Sequence, residues 1–265
     1  MQPASTAADT YTLKHGFPSQ LPPMTWLLAL DGATEQLAIA LVGPDGQLLA
    51  RDLPGGAQAS ATLVPALLAL LEEADLAPAQ LSAIGFGQGP GAFTGLRAVC
   101  AVAQGLALGW NLPVLALDSL LLVAQAAAEQ AGGPFTQVGM HWGVAMDARM
   151  GEVYAARYQR EAQGWVTLEL PGLWKPEALA LHWQGTHWPD AFAGTGSALF
   201  VDIEPAPWVH GGSRAGALGQ LCQQAWLGGK TLDAAEAVPL YVRDKVALTT
   251  AEREAQRAAA PTHPS

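Results

Sequence analysis

The chain predicts an α/β fold of two similar lobes, each a strand meander with helices folded over it. Three observations carry this reading. Short apolar runs separated by turn residues fill the stretch from Trp26 to Leu53; a strand, a glycine-rich loop and a helical run follow between Leu81 and Trp110; and the opening pattern recurs half a chain later at WGVAMDARMGEVYAARY. With 265 residues the chain has room for one large domain or two of ordinary size.

Taken in order, residues 1–24 lack the basic start and apolar stretch of a signal peptide and read as a disordered arm. WLLALDG, LAIALVG and QLLARDL, separated by ATEQ and by Pro44-Asp45-Gly46, read as a three-stranded antiparallel meander. A helix over Thr62 to Glu73 places Pro65 in its first turn, where the missing N–H has no partner to lose. The strand LSAIGFG, the glycine loop, a helix ending near Trp110 and the strand PVLALD complete a βββαβαβ lobe over 25–118. A helix from Ser119 to Gln130, capped by Asp118 or Ser119, opens the second lobe, 119–248. That lobe continues with a hairpin after Asp147, a helix in KPEALALHW, a strand running into AGTGSALF, a helix from about Ser213 to Leu227 and the extended piece VPLYV. Residues 249–265 are expected as a flexible tail.

Composition narrows the function. A net charge of −10 and a pI near 4.9 oppose a large direct phosphate footprint, because nucleic-acid affinity rests on clustered Lys and Arg. Cys100 and Cys222 lie in apolar surroundings without CxxC spacing, which suits buried reduced thiols and a cytoplasmic location. The 20 residues from Ala98 to Leu117 carry no charge, the length of a membrane span. Asn111 and Pro113 interrupt it and Gly105 and Gly109 weaken it, so a helix followed by a strand is expected and no membrane contact. Six of the nine tryptophans lie between Trp142 and Trp208 with few basic residues among them, a pattern of core packing rather than base stacking.

Two meanders covered by helices resemble the actin, Hsp70 and sugar-kinase (ASKHA) plan, in which a nucleotide lies between the lobes and acids at the hairpin turns hold the metal. Asp31 and Asp147 sit where those acids would be, although Asp is also an ordinary turn residue that bonds its own backbone. The loop GFGQGPGAFTGLR fits neither a P-loop, nor GxGxxG, nor a nucleophile elbow, since Phe93 occupies the centre of GAFTG. Backbone N–H groups at Gly89, Gly91 and Gly95, with Thr94 and Arg97, would bind an anion; equally, the glycines let strand and helix approach closely. Among the histidines, His141, His182, His187 and His210 show no HxxxH or HExxH spacing, and no metal site is expected.

The helices say more. TLVPALLALL and LRAVCAVAQGLALGW are apolar nearly all round, and the small residues Ala98, Ala101, Ala103, Gly105 and Ala107 invite close packing, by the second half of the chain or by another chain. The candidate partner face is Leu63, Ala66, Leu67 and Leu70 on the first helix with Arg97, Ala98, Ala101, Val102 and Gly105 on the second.

GQGPGAFTGLR resembles the GxGPGSFTGLR signature of the TsaB (YeaZ) family, and the match continues through AQGLALG, AMDARMGEVYAARY, the GTG of Gly194 to Gly196, and VPLYVR. The resemblance implies a non-catalytic subunit in the synthesis of threonylcarbamoyladenosine (t6A) beside the tRNA anticodon. It implies a heterodimer with the catalytic subunit TsaD through the two first-lobe helices, a homodimer when TsaD is absent, association with the ATPase TsaE, and only indirect contact with tRNA. It further implies no cofactor of the chain's own, ATP being used through partner subunits, and makes Asp31, Thr34, Gly89, Gly91, Thr94, Gly95 and Asp147 vestiges of nucleotide-type loops. The chain departs from the family at Gly32, at Ala59-Ser60, and at Gln88 and Ala92, where Arg and Ser are common. The alternative is an ATP-using enzyme of the same superfamily with Asp31 and Asp147 on Mg²⁺; a peptidase finds neither metal box nor activated nucleophile.

Overall fold

The computed structural model describes residues 9–12, 25–55, 59–200 and 207–243. Within the segment expected as a disordered arm, Asp9–Thr12 forms an edge strand, β1, antiparallel to β4; the rest of that arm and the tail 249–265 lie outside the described residues. The three apolar runs form β2 (Trp26–Asp31), β3 (Gln36–Val42) and β4 (Gln47–Pro54), an antiparallel meander. Parallel to β2 run β5 (Leu81–Gly89) and then β6 (Val114–Asp118), giving the sheet order β1-β4-β3-β2-β5-β6.

The second half repeats this plan. β7 (His141–Asp147), β8 (Val153–Glu161) and β9 (Gly164–Trp174) form the meander, and β10 (Ala191–Ala193) and β11 (Trp208–Val209) add in parallel, in the order β11-β10-β7-β8-β9. In both sheets the first strand of the meander is central, its hairpin partners lie to one side, and two parallel strands lie to the other. The second copy is not a strict βββαβαβ: between β10 and β11 the described residues form a short 3-10 turn, Gly196–Leu199, in place of a helix.

Both faces of the first sheet are covered, which is why β2 and β3 read as continuous apolar runs rather than as alternating ones. On one face Leu28, Leu30, Ile39 and Leu41 pack against α1 (Ala59–Glu73) and α2 (Phe93–Trp110). On the other, Leu27, Ala29, Ala38 and Ala40 meet Ala215, Leu218 and Cys222 of α5 (Arg214–Leu227). Thus α5, late in the chain, crosses back to the first sheet. α3 (Ser119–Ala131) lies against α5 and against β7 and β8, so these two helices form the layer between the sheets. α4 (Pro176–Thr186) closes the far face of the second sheet, where Leu179 and Trp183 pack with Ala145, Val153 and Phe192.

Three local expectations meet the structure here. Asp118 is the cap of α3, accepting from the N–H groups of Leu120 and Leu121 at 2.9 and 3.3 Å. Pro65 is not in the first turn: α1 starts at Ala59, which puts the proline inside the helix, in its second turn and beyond the first four N–H groups, which lack partners anyway. The tryptophans are core residues, with Trp142 and Trp183 fully buried.

The lobes are tied by buried polar contacts. Asp31, at the end of β2 and 0% exposed, accepts from the guanidinium of Arg214 at the start of α5, 183 residues away, from Ser119 Oγ at 2.6 Å, and from the Ala33 N–H at 3.2 Å. Ser119 Oγ also accepts from the Gly89 N–H at 3.0 Å. Nearby, Tyr158 of β8 donates to Asp118 Oδ2 at 2.6 Å. Burial pushes the Asp118 carboxyl above its usual range, and the Tyr158 hydroxyl and the two cap N–H groups pull it partly back.

Removing one member of a buried ion pair strands the other, so Arg214→Met is expected to lower unfolding free energy by about 3 to 5 kcal/mol in urea titration, with the Asp31→Asn, Arg214→Met double variant recovering much of the loss. Leu67, with 0% exposure in the α1–sheet core, is expected to cost about 2 to 5 kcal/mol as Leu67→Ala in the same assay.

Candidate functional site: the cleft between lobes and the outer face of the first-lobe helices

A cavity of about 470 Å³ opens between the hairpin turns of the two lobes. Ala33, Thr34 and Glu35 of the first turn and Asp147 to Met150 of the second form opposite walls, the glycine loop from Pro90 to Phe93 contributes a third, and Leu240 to Arg243 close the side. The VPLYV segment is therefore no strand of either sheet; it runs as a strap, with the Leu240 N–H on Gln88 O at 2.7 Å and Arg243 on Ala148 O and Glu152 at 2.9 Å each. Across the opening, Arg149 pairs with Glu35 at 3.2 Å, with both side chains more than three-quarters exposed, so this pair adds little stability.

The expected loop residues gather here, though in different roles. Asp31 is turned inward to Arg214 and Ser119 and does not line the cavity; Asp147 does, and its Oδ1 accepts the Arg149 N–H at 2.7 Å as an ordinary turn aspartate. Thr34 Oγ1 bonds only its own turn, accepting from Gln36 N and donating to Gln36 O, both at 3.2 Å. Gly89 ends β5, Gly91 lines the cavity, and Thr94 is exposed in the first turn of α2.

Close approach explains the glycines. A Cβ on Gly87 would lie 1.8 Å from Asp31 Oδ2, and one on Gly95 would lie 2.0 Å from Gly32 O. The loop and the start of α2 are thus pressed against the first hairpin turn, and the Ala92 N–H reaches Ala33 O at 2.7 Å. Sequence reasoning placed this loop but missed Arg214, Ser119, Glu35 and Arg149, since nothing local in GGSR or in TEQ announces a partner in the other lobe.

No group of three or more His, Cys, Asp or Glu side chains among the described residues is arranged to hold a metal ion. His141 and His187 meet edge to face at 4.2 Å, and His182 Nε2 lies 3.0 Å from Glu169. Both cysteines are free and buried, and burial pushes each thiol up to about 12, which leaves them inert near neutral pH. No described helix is long and apolar enough to cross a membrane.

The second feature is the outward side of α1 and α2. Leu63, Leu67 and Leu70 do not belong to it: each is 0% exposed and faces the sheet, because their spacing places them on the inner stripe of α1. Ala103, on α2, is likewise 0% exposed. The exposed stripe is built instead from Arg97, Ala101, Gly105 and Leu108 of α2 with Leu68 of α1, flanked by the half-buried Ala66, Ala98 and Val102. Leu108 is 62% and Leu68 48% exposed, so a run of small and apolar side chains faces outward. Among the described residues, the second half of the chain covers α2 on one flank, where Ala234 and Ala237 join the core and Gln104 donates to Ala235 O at 3.2 Å, and at its start, where Tyr241 meets Phe93 and Arg97.

The chain matches the family described as TsaD: tRNA N6-adenosine threonylcarbamoyltransferase over residues 56–262. It is 33% identical over 228 residues to the tRNA threonylcarbamoyladenosine biosynthesis protein TsaB of Escherichia coli, covering 83% of this chain and 96% of that one. The TsaB of Haemophilus influenzae is 38% identical over 137 residues, 51% of this chain and 54% of that one. Among solved structures, YeaZ from Pseudomonas aeruginosa superposes with a TM-score of 0.70 at 34% identity, covering 82% of this chain and 99% of that one. The broad match carries the name of the transferase TsaD, whereas the relatives matched along nearly their whole length carry TsaB and YeaZ. By that full-length likeness, and by the two-lobed fold it shares, the chain belongs to the TsaB (YeaZ) family.

Proposed function

We propose that this chain is the non-catalytic scaffold and activating subunit of t6A synthesis, and that it docks the catalytic subunit TsaD on the outer face of α1 and α2. The observation that carries this reading is the exposed stripe of Ala101, Gly105 and Leu108, small enough for another helix to approach closely and too apolar for an ordinary solvent face. Support for the non-catalytic part comes from Asp31, both of whose oxygens are committed to Arg214, Ser119 and the Ala33 N–H. The chain then needs no cofactor of its own, ATP being consumed through partner subunits. TsaE joins through the TsaB–TsaD pair, tRNA contact is indirect, the complex works in the cytoplasm, and without TsaD the same face closes a homodimer. The relatives' names supply the pathway.

The cavity between the hairpin turns favours a second reading, an ATP-using enzyme with Asp147 at the cleft. The two separate in one experiment. Light scattering after gel filtration, with cognate TsaD added, is expected to show a heterodimer for the unaltered chain and separate species for Ala101→Glu. The substitution places a charge on an exposed helix position, so it leaves the melting temperature unchanged while weakening binding by at least about tenfold. ATP turnover by the isolated chain, lost on Asp147→Asn, would establish the second reading instead.

A further inference from the structure

We infer that the α1–α2 face recognises a carboxylate on its protein partner, and that Arg97 is the anchor; this rests on the docking reading above and names the chemistry the partner must present. Arg97 is exposed on α2, yet it is not loose. Its Nε donates to Tyr241 Oη at 3.0 Å, and its guanidinium carbon stands 3.7 Å from the Phe93 ring centre and 5.9 Å from that of Tyr241. Those two rings are themselves 5.5 Å apart. The stack and the single hydrogen bond fix the plane of the guanidinium and leave its two terminal nitrogens without a hydrogen bond among the described residues.

This placement is unusual within the chain. Arg51, Arg149, Arg157, Arg214 and Arg243 each lie within 4.0 Å of a carboxylate. Arg97 has none among the described residues, although the chain holds 23 acidic residues to 13 Lys and Arg. A guanidinium sheds water more readily than an ammonium, and its fork matches a carboxylate through two parallel hydrogen bonds. One and two turns further on, Ala101 and Gly105 present no bulk, so a partner helix or strand can come close enough to exclude water around the pair.

A nucleic-acid phosphate is the poorer occupant, since phosphate footprints need clustered cations and α1 and α2 carry no other Lys or Arg. A second copy of the chain is also poorer: α2 has no acidic residue, and of the two on α1, Glu72 and Glu73 in its last turn, Glu73 is already bonded to Arg51. Tyr241 acts through Arg97 and is a positioning residue, tying the strap along the cleft to the docking face.

The test is titration calorimetry of the full-length chain with cognate TsaD at low and high sodium chloride, for the unaltered chain, Arg97→Ala, Arg97→Gln, Arg97→Lys, Tyr241→Phe and Ala101→Glu. Both neutral replacements are expected to weaken binding at low salt by about 30-fold or more and to flatten its salt dependence. Arg97→Lys regains part of both, and Tyr241→Phe gives a smaller loss with the salt slope kept. Self-association of Arg97→Gln, followed by sedimentation equilibrium, is expected to stay as in the unaltered chain. Unchanged affinity and salt slope in Arg97→Gln, while Ala101→Glu abolishes binding, overturns this inference and leaves the docking reading standing. So does a loss confined to self-association, or one confined to binding of bare tRNA. If the unaltered chain does not bind TsaD, both readings fall together.

Discussion

The fold turns on one buried ion pair. Asp31 ends the central strand of the first sheet, Arg214 opens a helix that arrives from beyond the second sheet, and the two meet where neither touches water appreciably. Burying two charges costs several kcal/mol each unless the remaining valences are filled. Here Ser119 and the Ala33 N–H fill them on the carboxylate, while Arg214 Nε has no hydrogen-bond partner among the described residues. The pair is therefore a device of registry: it fixes where α5 starts on the first sheet, and through Ser119 and Gly89 where α3 and the glycine loop start as well.

The cleft takes its shape from that arrangement. With Asp31 drawn inward, the first hairpin turn offers Ala33, Thr34 and Glu35 to the cavity. Gly87, Gly91 and Gly95 are held against that turn at distances a Cβ would not allow. Glycines that look like a phosphate cradle in the sequence are accounted for here by steric closeness. The strap from Leu240 to Arg243 then bonds to both lobes, to Gln88 in the first and to Ala148 and Glu152 in the second.

Low charge has a visible counterpart. Only 14% of residues are charged, against about 25% in an average soluble domain. Part of the shortfall lies inside, in a sheet covered on both faces and a helical layer shared between sheets. Part lies outside, on α2, where Ala101, Gly105 and Leu108 take positions a solvent-facing helix normally gives to Glu, Lys or Gln. The inner stripe of the helix, Leu96, Val99, Cys100, Ala103 and Ala107, is packed in the core, while the outer stripe faces outward among the described residues.

How much of this was legible in the sequence depends on the range of the forces involved. Turn chemistry and short apolar runs act locally, so the meander, a cap at Asp118 or Ser119 and the repeat around Asp147 could be read directly. The motif run from GQGPGAFTGLR to VPLYVR was likewise sufficient to point to the family. Inner and outer stripes of α1 were not separable, because ALLALL is apolar at every phase and only the sheet beneath decides that Leu67 faces in while Leu68 faces out. Nor could Asp31 be distinguished from a ligand-holding acid until Arg214 stood beside it. By itself the sequence determined the main elements, their approximate duplication and the family, which rest on local patterns. The tertiary structure alone decided which apolar face stays open and which charges are spent on each other, because those outcomes depend on partners brought together from opposite ends of the chain.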